Sequence, residues 1–136
     1  MRPFVMVVDD DESVRTILGA VLGTAGYDVV ALSNGEEALD RMRDGPLPSL
    51  VLLDLMMPKM GGWQVLETMQ ESPRLAQVPV VVLTAFGARE DLPTSRTVIH
   101  KPVEEAVLRN LVDELCVGEH AGQRAERTED ASSTTR

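Results

Sequence analysis

The sequence predicts an α/β fold in which a doubly wound, five-stranded parallel sheet is covered by helices on both faces. Short apolar runs of strand length alternate with segments of helical periodicity, a pattern typical of parallel sheets with right-handed crossovers. Leu50–Leu53 is apolar throughout and lies between Pro48 and Pro58, as expected of a strand buried on both faces. Asp9 and Asp54 follow two of the runs, at the sheet edge where such folds bind ligands.

The first part of the chain contains two successive β–α units. Phe4–Val8 predicts the first strand. Apolar residues then recur at the spacing of one buried helical stripe: Val14, Ile17, Leu18, Val21 and Leu22. Ser13 or one of the preceding acids can cap this helix, and Gly23 ends it. Tyr27–Leu32 predicts the second strand, and Glu36–Met42 predicts a second helix whose early acids suit the helix dipole.

The second part repeats the alternation. Trp63–Gln70 predicts a third helix, and the apolar runs Val78–Leu83 and Thr97–His100 predict the fourth and fifth strands. A last helix is predicted over residues 104–117, with one broad apolar face made of Val107, Leu108, Leu111, Val112, Leu115 and Cys116. Residues 118–136 are polar and have no apolar period, so we expect one domain over residues 1–117 and a disordered tail.

Composition narrows the class of protein. The chain has 136 residues and 43% hydrophobic residues, which suits one globular domain. Its 13 basic residues against 22 acids give a net charge of −9, which argues against nucleic-acid binding. Cys116 is the only cysteine, so no disulfide framework is expected. No segment reads as a signal sequence or membrane span, and we expect a cytoplasmic protein without membrane partners.

Acidic side chains follow two strands of the predicted sheet. Asp9 and Asp10 come directly after the first strand, and Asp54 ends the third. If these strands are parallel neighbours, the three carboxylates converge on one edge and repel one another strongly. A hard divalent cation with oxygen ligands relieves that repulsion, and Mg²⁺ is the natural candidate.

Polar residues also follow the last two strands, at Thr84 and Lys101. The motifs Val-Val-Asp-Asp, Leu-Leu-Asp-Leu-Met-Met-Pro-Lys-Met-Gly-Gly, Val-Val-Leu-Thr-Ala and His-Lys-Pro occur in that order. Together they resemble the receiver domain of bacterial two-component response regulators, and the resemblance covers about residues 4–117. It implies the flavodoxin-like strand order 2-1-3-4-5, in which the first and third strands are neighbours.

The resemblance also implies a role for each site residue. Asp54 is the phosphoacceptor, and it takes a phosphoryl group from a sensor histidine kinase, a histidine phosphotransfer protein or a small phosphodonor. Lys101 pairs with one phosphoryl oxygen, and the Thr84 hydroxyl hydrogen-bonds another. The implied ligands of Mg²⁺, or of Mn²⁺, are Asp9, Asp10, Asp54 and the main-chain carbonyl of Met56. The protein is then a signalling domain that assists its own phosphorylation and dephosphorylation, not an enzyme.

The chain departs from the family pattern before its fifth strand. Only twelve residues, 85–96, separate the fourth strand from the fifth, so the family's helix at this place should be short or absent. Val98 stands where the family has an aromatic switch residue, so switching by ring rotation is not expected. Met56 and Phe86 occupy positions that in the family border the path of hydrolytic water, and neither activates water. We therefore expect slow dephosphorylation.

Different readings remain open. Taken singly, Asp54 could be a helix cap, Thr84 a hydroxyl bonded to the main chain, and Lys101 a surface charge. The first functional reading is a stand-alone receiver that acts through an unknown downstream protein. The alternative is a phosphorylation-independent interaction module. A turnover phosphatase is disfavoured because no general acid or base follows Asp54 closely.

Overall fold

A computed structural model of the protein describes residues 4–57, 61–84, 97–101 and 103–116. The strands and helices in chain order are β1 (Phe4–Val8), α1 (Glu12–Thr24), β2 (Asp28–Leu32), α2 (Gly35–Asp44), β3 (Leu50–Asp54), α3 (Gly62–Glu71), β4 (Val80–Thr84), β5 (Thr97–His100) and α4 (Glu105–Leu115). A short 3-10 turn, Leu75–Gln77, precedes β4. All strand pairs are parallel, and the five-stranded sheet has the order β2-β1-β3-β4-β5, which confirms the predicted fold class.

The strand register brings the polar ends of the strands to one edge. Val8 of β1 pairs with Leu53 of β3, so Asp9 and Asp54 follow at the same level. Asp54 in turn pairs with Leu83 of β4. Every residue of β3 and of β4 is buried, because helices cover both faces of the sheet there.

Two apolar layers hold the sheet between the helices, as the period of two along each strand requires. Met6, Val8, Val51 and Leu53 face the layer that contains the buried side chains of α2 and α3. The alternate residues of the same strands face the opposite layer, which contains the buried side chains of α1 and α4: Val5, Val7, Leu50 and Leu52. The carboxyl ends of the strands are therefore fixed from both sides.

Polar contacts set the ends of the helices. Asp11 caps α1 by accepting hydrogen bonds from the backbone N–H groups of Ser13 and Val14, at 2.8 and 3.4 Å. Asn34 caps α2 through Glu37 N–H at 2.9 Å. At the other end of α2, Arg74 donates from its two terminal nitrogens to the carbonyls of Met42 and Gly45, at 2.8 and 2.7 Å.

Some predicted positions need correction. Tyr27 lies before β2, and Val78 and Pro79 lie before β4, where the 3-10 turn redirects the chain. Ile17 and Val107 were expected on buried stripes, but their side chains are 57% and 48% exposed. The periodicity identified both residues as part of an apolar face, but no neighbouring element among the described residues covers their side chains.

Two predictions fall on residues outside the described ranges. These are the short or absent helix between the fourth and fifth strands and the disordered tail over 118–136, and both stay predictions. The last helix itself is described as far as Leu115, followed by Cys116 as its cap. Among the helices that the structure describes, none combines the length and apolar character needed to cross a bilayer.

Candidate functional site

Asp9 lies at the centre of the candidate site and is fully buried. Its Oδ1 accepts a hydrogen bond from Asp11 N–H at 2.9 Å, and its own N–H donates to Leu32 O at 3.1 Å. Among the described residues, no group makes a hydrogen bond of good geometry to its Oδ2. The Lys101 ammonium forms an ion pair with this oxygen at 2.7 Å. A buried carboxylate oxygen without a full set of partners is costly, so this atom can take a cation as a further partner beside the ammonium.

Asp54 ends β3 and is 3% exposed. The pKa of its carboxyl is raised from 3.8 to about 6, chiefly by burial, and the nearby charge of Asp9 contributes to the rise. A hydrogen bond from Met56 N–H to Asp54 Oδ1, at 3.0 Å, and the charge of Lys101 oppose the rise. The carboxylate is thus ionised at neutral pH but held in a site that disfavours its charge.

Lys101 follows β5 and supplies the positive charge of the site. Its Nζ lies 2.7 Å from Asp9 Oδ2 and 3.7 Å from Asp54 Oδ2. Burial alone would lower the pKa of this ammonium, but the contact with Asp9 and the charges of the surrounding acids, with Asp54 the largest, outweigh it and raise the pKa. Lys101 is therefore charged and placed between the two buried carboxylates.

Asp10 completes the acidic group at the surface. Asp9 and Asp54 are buried and Asp10 is exposed, and each offers a carboxylate oxygen within 4.8 Å of the others. Hard cations such as Mg²⁺ take oxygen ligands from one or two carboxylates and keep several waters. The donor set, the under-partnered Asp9 oxygen and the open side at Asp10 fit such an ion.

The two other predicted site residues lie close to this group. Thr84 is buried at the end of β4, and its carbonyl accepts a hydrogen bond from Lys101 N–H at 2.8 Å, which fixes where the lysine leaves the sheet. Met56 contacts Asp54 through its N–H, while its side chain is 68% exposed. The role predicted for the Met56 carbonyl and that for the Thr84 hydroxyl stay predictions.

Arg15 is a site neighbour that the sequence analysis missed. Its Nη1 donates to the backbone carbonyl of Asp9 at 2.8 Å, so the guanidinium braces the loop that carries the acids. The available signal was its position in the first turns of α1, where the helix dipole disfavours a cation. A basic residue there needs a tertiary partner.

The fold and the site define the class of protein: a flavodoxin-like α/β domain with an acidic, lysine-containing site at the carboxyl ends of its parallel strands. A family model described as the response regulator receiver domain matches residues 5–113. The chain therefore belongs to the response regulator receiver family, as the motifs indicated. Receiver domains are signalling domains of two-component systems.

Individual relatives agree. A protein named probable transcriptional regulator ycf27 from Porphyra purpurea is 48% identical over 83 residues, which cover 61% of this chain and 32% of that protein. The two-component response regulator ORR7 of Oryza sativa subsp. japonica is 36% identical over 91 residues, 67% of this chain and 41% of that protein. The chain thus spans about a third of the length of the ycf27 relatives.

Solved structures give the same result. A response regulator from Chloroflexus aurantiacus superposes with a TM-score of 0.74 at 26% identity, over 85% of this chain and 99% of that one. The signal receiver domain of a histidine kinase from Syntrophus aciditrophicus reaches 0.77 at 27% identity, over 85% and 91%. The chemotaxis protein CheY4 of Vibrio cholerae, at 21% identity, shares the fold with a TM-score of 0.76 over 85% and 99%.

Proposed function

We propose that this domain is a phosphorylation-dependent switch in which Asp54 accepts a phosphoryl group. The observation that carries the proposal is the position of the Asp54 carboxylate, buried beside Asp9 and within 3.7 Å of the Lys101 ammonium. The Asp54 carboxylate offers a nucleophilic oxygen. The neighbouring acids can hold a cation, and the Lys101 ammonium supplies a positive charge beside them. Phosphoryl transfer asks a protein mainly for such positioning and charge neutralisation.

In the proposed step, a carboxylate oxygen of Asp54 forms a bond to phosphorus as the phosphorus–nitrogen bond of a phosphohistidine breaks. The imidazole leaves with the bonding electron pair and takes a proton, and the product is an aspartyl phosphate. Histidine kinases and histidine phosphotransfer proteins are the partners of receiver domains, so one of these is the proposed phosphodonor. Acetyl phosphate or phosphoramidate can replace it in the test tube.

Asp9, Asp10 and Asp54, together with the carbonyl of Met56, would hold Mg²⁺ or Mn²⁺. When bound, the ion supplies positive charge that screens the repulsion between the anionic nucleophile and the anionic phosphodonor. The elevated pKa of Asp54 supports this assignment, because a site that disfavours its own negative charge gains from a cation.

Lys101 and Thr84 complete the proposed switch. Once a phosphoryl group is attached, its oxygens offer the Lys101 ammonium an alternative to Asp9, and the Thr84 hydroxyl is proposed to donate to another oxygen. Both residues are joined through the Thr84 carbonyl and Lys101 N–H, so a shift at one reaches the other. The end of β5 would then transmit phosphorylation to a downstream partner.

A phosphorylation-independent interaction module remains the second candidate. Val98 packs partly buried against the apolar layer of α2 and α3, and it has no ring that could rotate between two states. A domain without that switch could bind a partner in one fixed conformation.

Incubation with Mg²⁺ and phosphoramidate, followed by intact-mass measurement, tests the proposal. We expect one phosphoryl adduct that needs Mg²⁺ and is absent in Asp54→Asn. Asp40→Asn, which changes an exposed acid on α2, is the matched control and should keep the adduct. No adduct in the unmodified protein, or an adduct that persists in Asp54→Asn, would contradict the proposal. The absence of an adduct together with partner binding would favour the second candidate.

A further inference from the structure

The first residue of α3 packs against the backbone of the phosphoacceptor. Gly62 is buried, and its N–H donates to the carbonyl of Leu55 at 3.2 Å. A Cβ added at Gly62 would lie 2.5 Å from the carbonyl oxygen of Asp54 and 2.7 Å from Cα of Leu55. Real Cβ atoms essentially never approach backbone this closely, so either α3 or the end of β3 would have to move.

The segment that Gly62 contacts is the one that carries the proposed chemistry. On one side, Asp54 Oδ1 accepts the N–H of Met56 at 3.0 Å. On the other side, the Leu55 carbonyl accepts the N–H of Gly62. Residues 54–57 are therefore held between the Asp54 side chain and the start of α3. The sequence shows only a Gly-Gly pair here, and it does not show which glycine the site requires.

We propose that Gly62 is a positioning residue for Asp54, because only a residue without Cβ lets α3 begin directly against the Asp54–Leu55 backbone. This inference rests on the proposed function and adds a residue to it. Gly61, the preceding residue, provides the contrast. A Cβ there would meet the Leu55 and Met57 carbonyl oxygens at 3.5 and 3.8 Å, which is ordinary van der Waals contact.

The test compares Gly62→Ala with Gly61→Ala. A displacement of about 1 Å at a reacting group can cost on the order of a hundredfold in rate. We expect Gly62→Ala to lower the rate of phosphorylation by phosphoramidate by roughly tenfold to a hundredfold, and to weaken Mg²⁺ binding measured by calorimetry. Gly61→Ala should stay within about twofold of the unmodified protein in both measurements.

A third variant separates positioning from loss of stability. Val112→Ala removes buried methyl groups from α4, in the apolar layer on the opposite side of the sheet from α3. At temperatures equally far below their melting points, Val112→Ala should retain normal Mg²⁺ affinity, whereas Gly62→Ala should not. Equal losses of Mg²⁺ affinity in Val112→Ala and Gly62→Ala would overturn the inference.

A measurement on the unmodified protein decides the case in which Gly62→Ala does not fold. In a Mg²⁺ titration followed by ¹⁵N NMR, the amide signal of Gly62 should move with the same midpoint as that of Met56. The amides of Gly23 and Gly45, at the far ends of α1 and α2, should not move. A stationary Gly62 signal beside a moving Met56 signal would overturn the inference.

The two proposals fail in different ways. If the unmodified protein neither binds Mg²⁺ nor accepts a phosphoryl group, the proposed function is wrong and Gly62 has no such site to position. If the unmodified protein does both and Gly62→Ala matches Gly61→Ala, the inference about Gly62 alone is wrong.

Discussion

The ammonium of Lys101 lies 2.7 Å from the buried Oδ2 of Asp9, closer than it lies to Asp54. The lysine thus acts as a counter-ion for the acid that the sequence predicts as a metal ligand. A cation that binds Asp9 must share it with this ammonium or displace it. We therefore expect a bound cation to compete with the Lys101 ammonium for Asp9.

Lys101→Met should therefore lower the stability of the metal-free protein while it strengthens Mg²⁺ binding. Without the ammonium, Asp9 and Asp54 repel each other in a buried site, and the metal-free protein should lose about 2 kcal/mol of unfolding free energy. Mg²⁺ should bind severalfold more tightly, because it no longer competes with a positive side chain. Urea unfolding in chelator and calorimetric titration measure the two effects.

The control for that variant is Arg109→Met, which removes an exposed cation paired with Glu105 at 3.6 Å. Such surface pairs contribute little, so both stability and Mg²⁺ affinity should stay nearly unchanged. Weaker Mg²⁺ binding in Lys101→Met than in the control would show that the lysine assists the metal and does not compete with it.

The raised pKa of Asp54 predicts how the stability of the metal-free protein depends on pH. Its pKa is about 6 in the folded protein against 3.8 for the ordinary side chain, so folding disfavours the ionised form. The resulting destabilisation is absent below pH 3.8, grows between the two pKa values and is complete above about pH 6. In chelator, Asp54→Asn should raise the melting temperature at pH 7.5 and lose that advantage near pH 4.

Thermal melts of the unmodified protein and Asp54→Asn between pH 4 and pH 7.5 show whether the variant is more or less stable at each pH. Asp40→Asn, at an exposed position, is the control. An Asp54→Asn variant that is less stable than the unmodified protein at pH 7.5 without metal would contradict the electrostatic account of the site.

Arg74 should stabilise the end of α2. Its guanidinium donates to two backbone carbonyls, those of Met42 and Gly45, and Arg74→Ala should cost about 1–2 kcal/mol of unfolding free energy. Arg74→Lys should recover little of this, because an ammonium cannot reproduce the planar fork. Arg43→Ala, which removes an exposed 3.5 Å pair with Asp40, is the matched control with an expected loss under about 0.5 kcal/mol. Equal losses for Arg74→Ala and Arg43→Ala in urea unfolding would refute this role.

Met56 should influence how long a phosphoryl group stays on Asp54. Its thioether cannot orient an attacking water, and its side chain is 68% exposed beside Asp54. Met56→Gln places an amide there that can hold water by hydrogen bonds, so dephosphorylation should become severalfold faster. The decay of the intact-mass adduct after removal of phosphodonor measures the rate. Met56→Leu is the isosteric control. If Met56→Gln leaves the lifetime of the phosphoryl adduct unchanged, Met56 does not influence dephosphorylation.

The features that follow from local pattern could be predicted from the sequence. The strands β3 and β4 are buried on both faces, so their uninterrupted apolar runs were an unambiguous signal. The acids at Asp9 and Asp54 stand at ends of such runs, and parallel topology then brings them to one edge. The pattern placed each acid at the end of its strand, and the family resemblance supplied the strand order in which β1 and β3 are neighbours.

The features that depend on contacts between distant segments could not be predicted. Nothing near Arg74 in the sequence indicates that its side chain donates to the backbone carbonyl of Met42 in α2. Periodicity likewise places Ile17 on an apolar stripe but cannot show whether a neighbouring element covers its side chain. The sequence also could not show that Lys101 lies nearer to Asp9 than to Asp54, because such distances depend on how β5 aligns with β4.

The attachment of Lys101 through the edge strand β5 has a consequence for synthesis on the ribosome. β5 follows β1, β3 and β4 in the chain and joins the sheet at its edge, beside β4. A nascent polypeptide therefore exposes Asp9, Asp10 and Asp54 before their counter-ion has emerged. Until that last strand docks, the acids lack the Lys101 ammonium, and a truncated product ending before residue 97 would keep its anionic cluster without this lysine between the carboxylates.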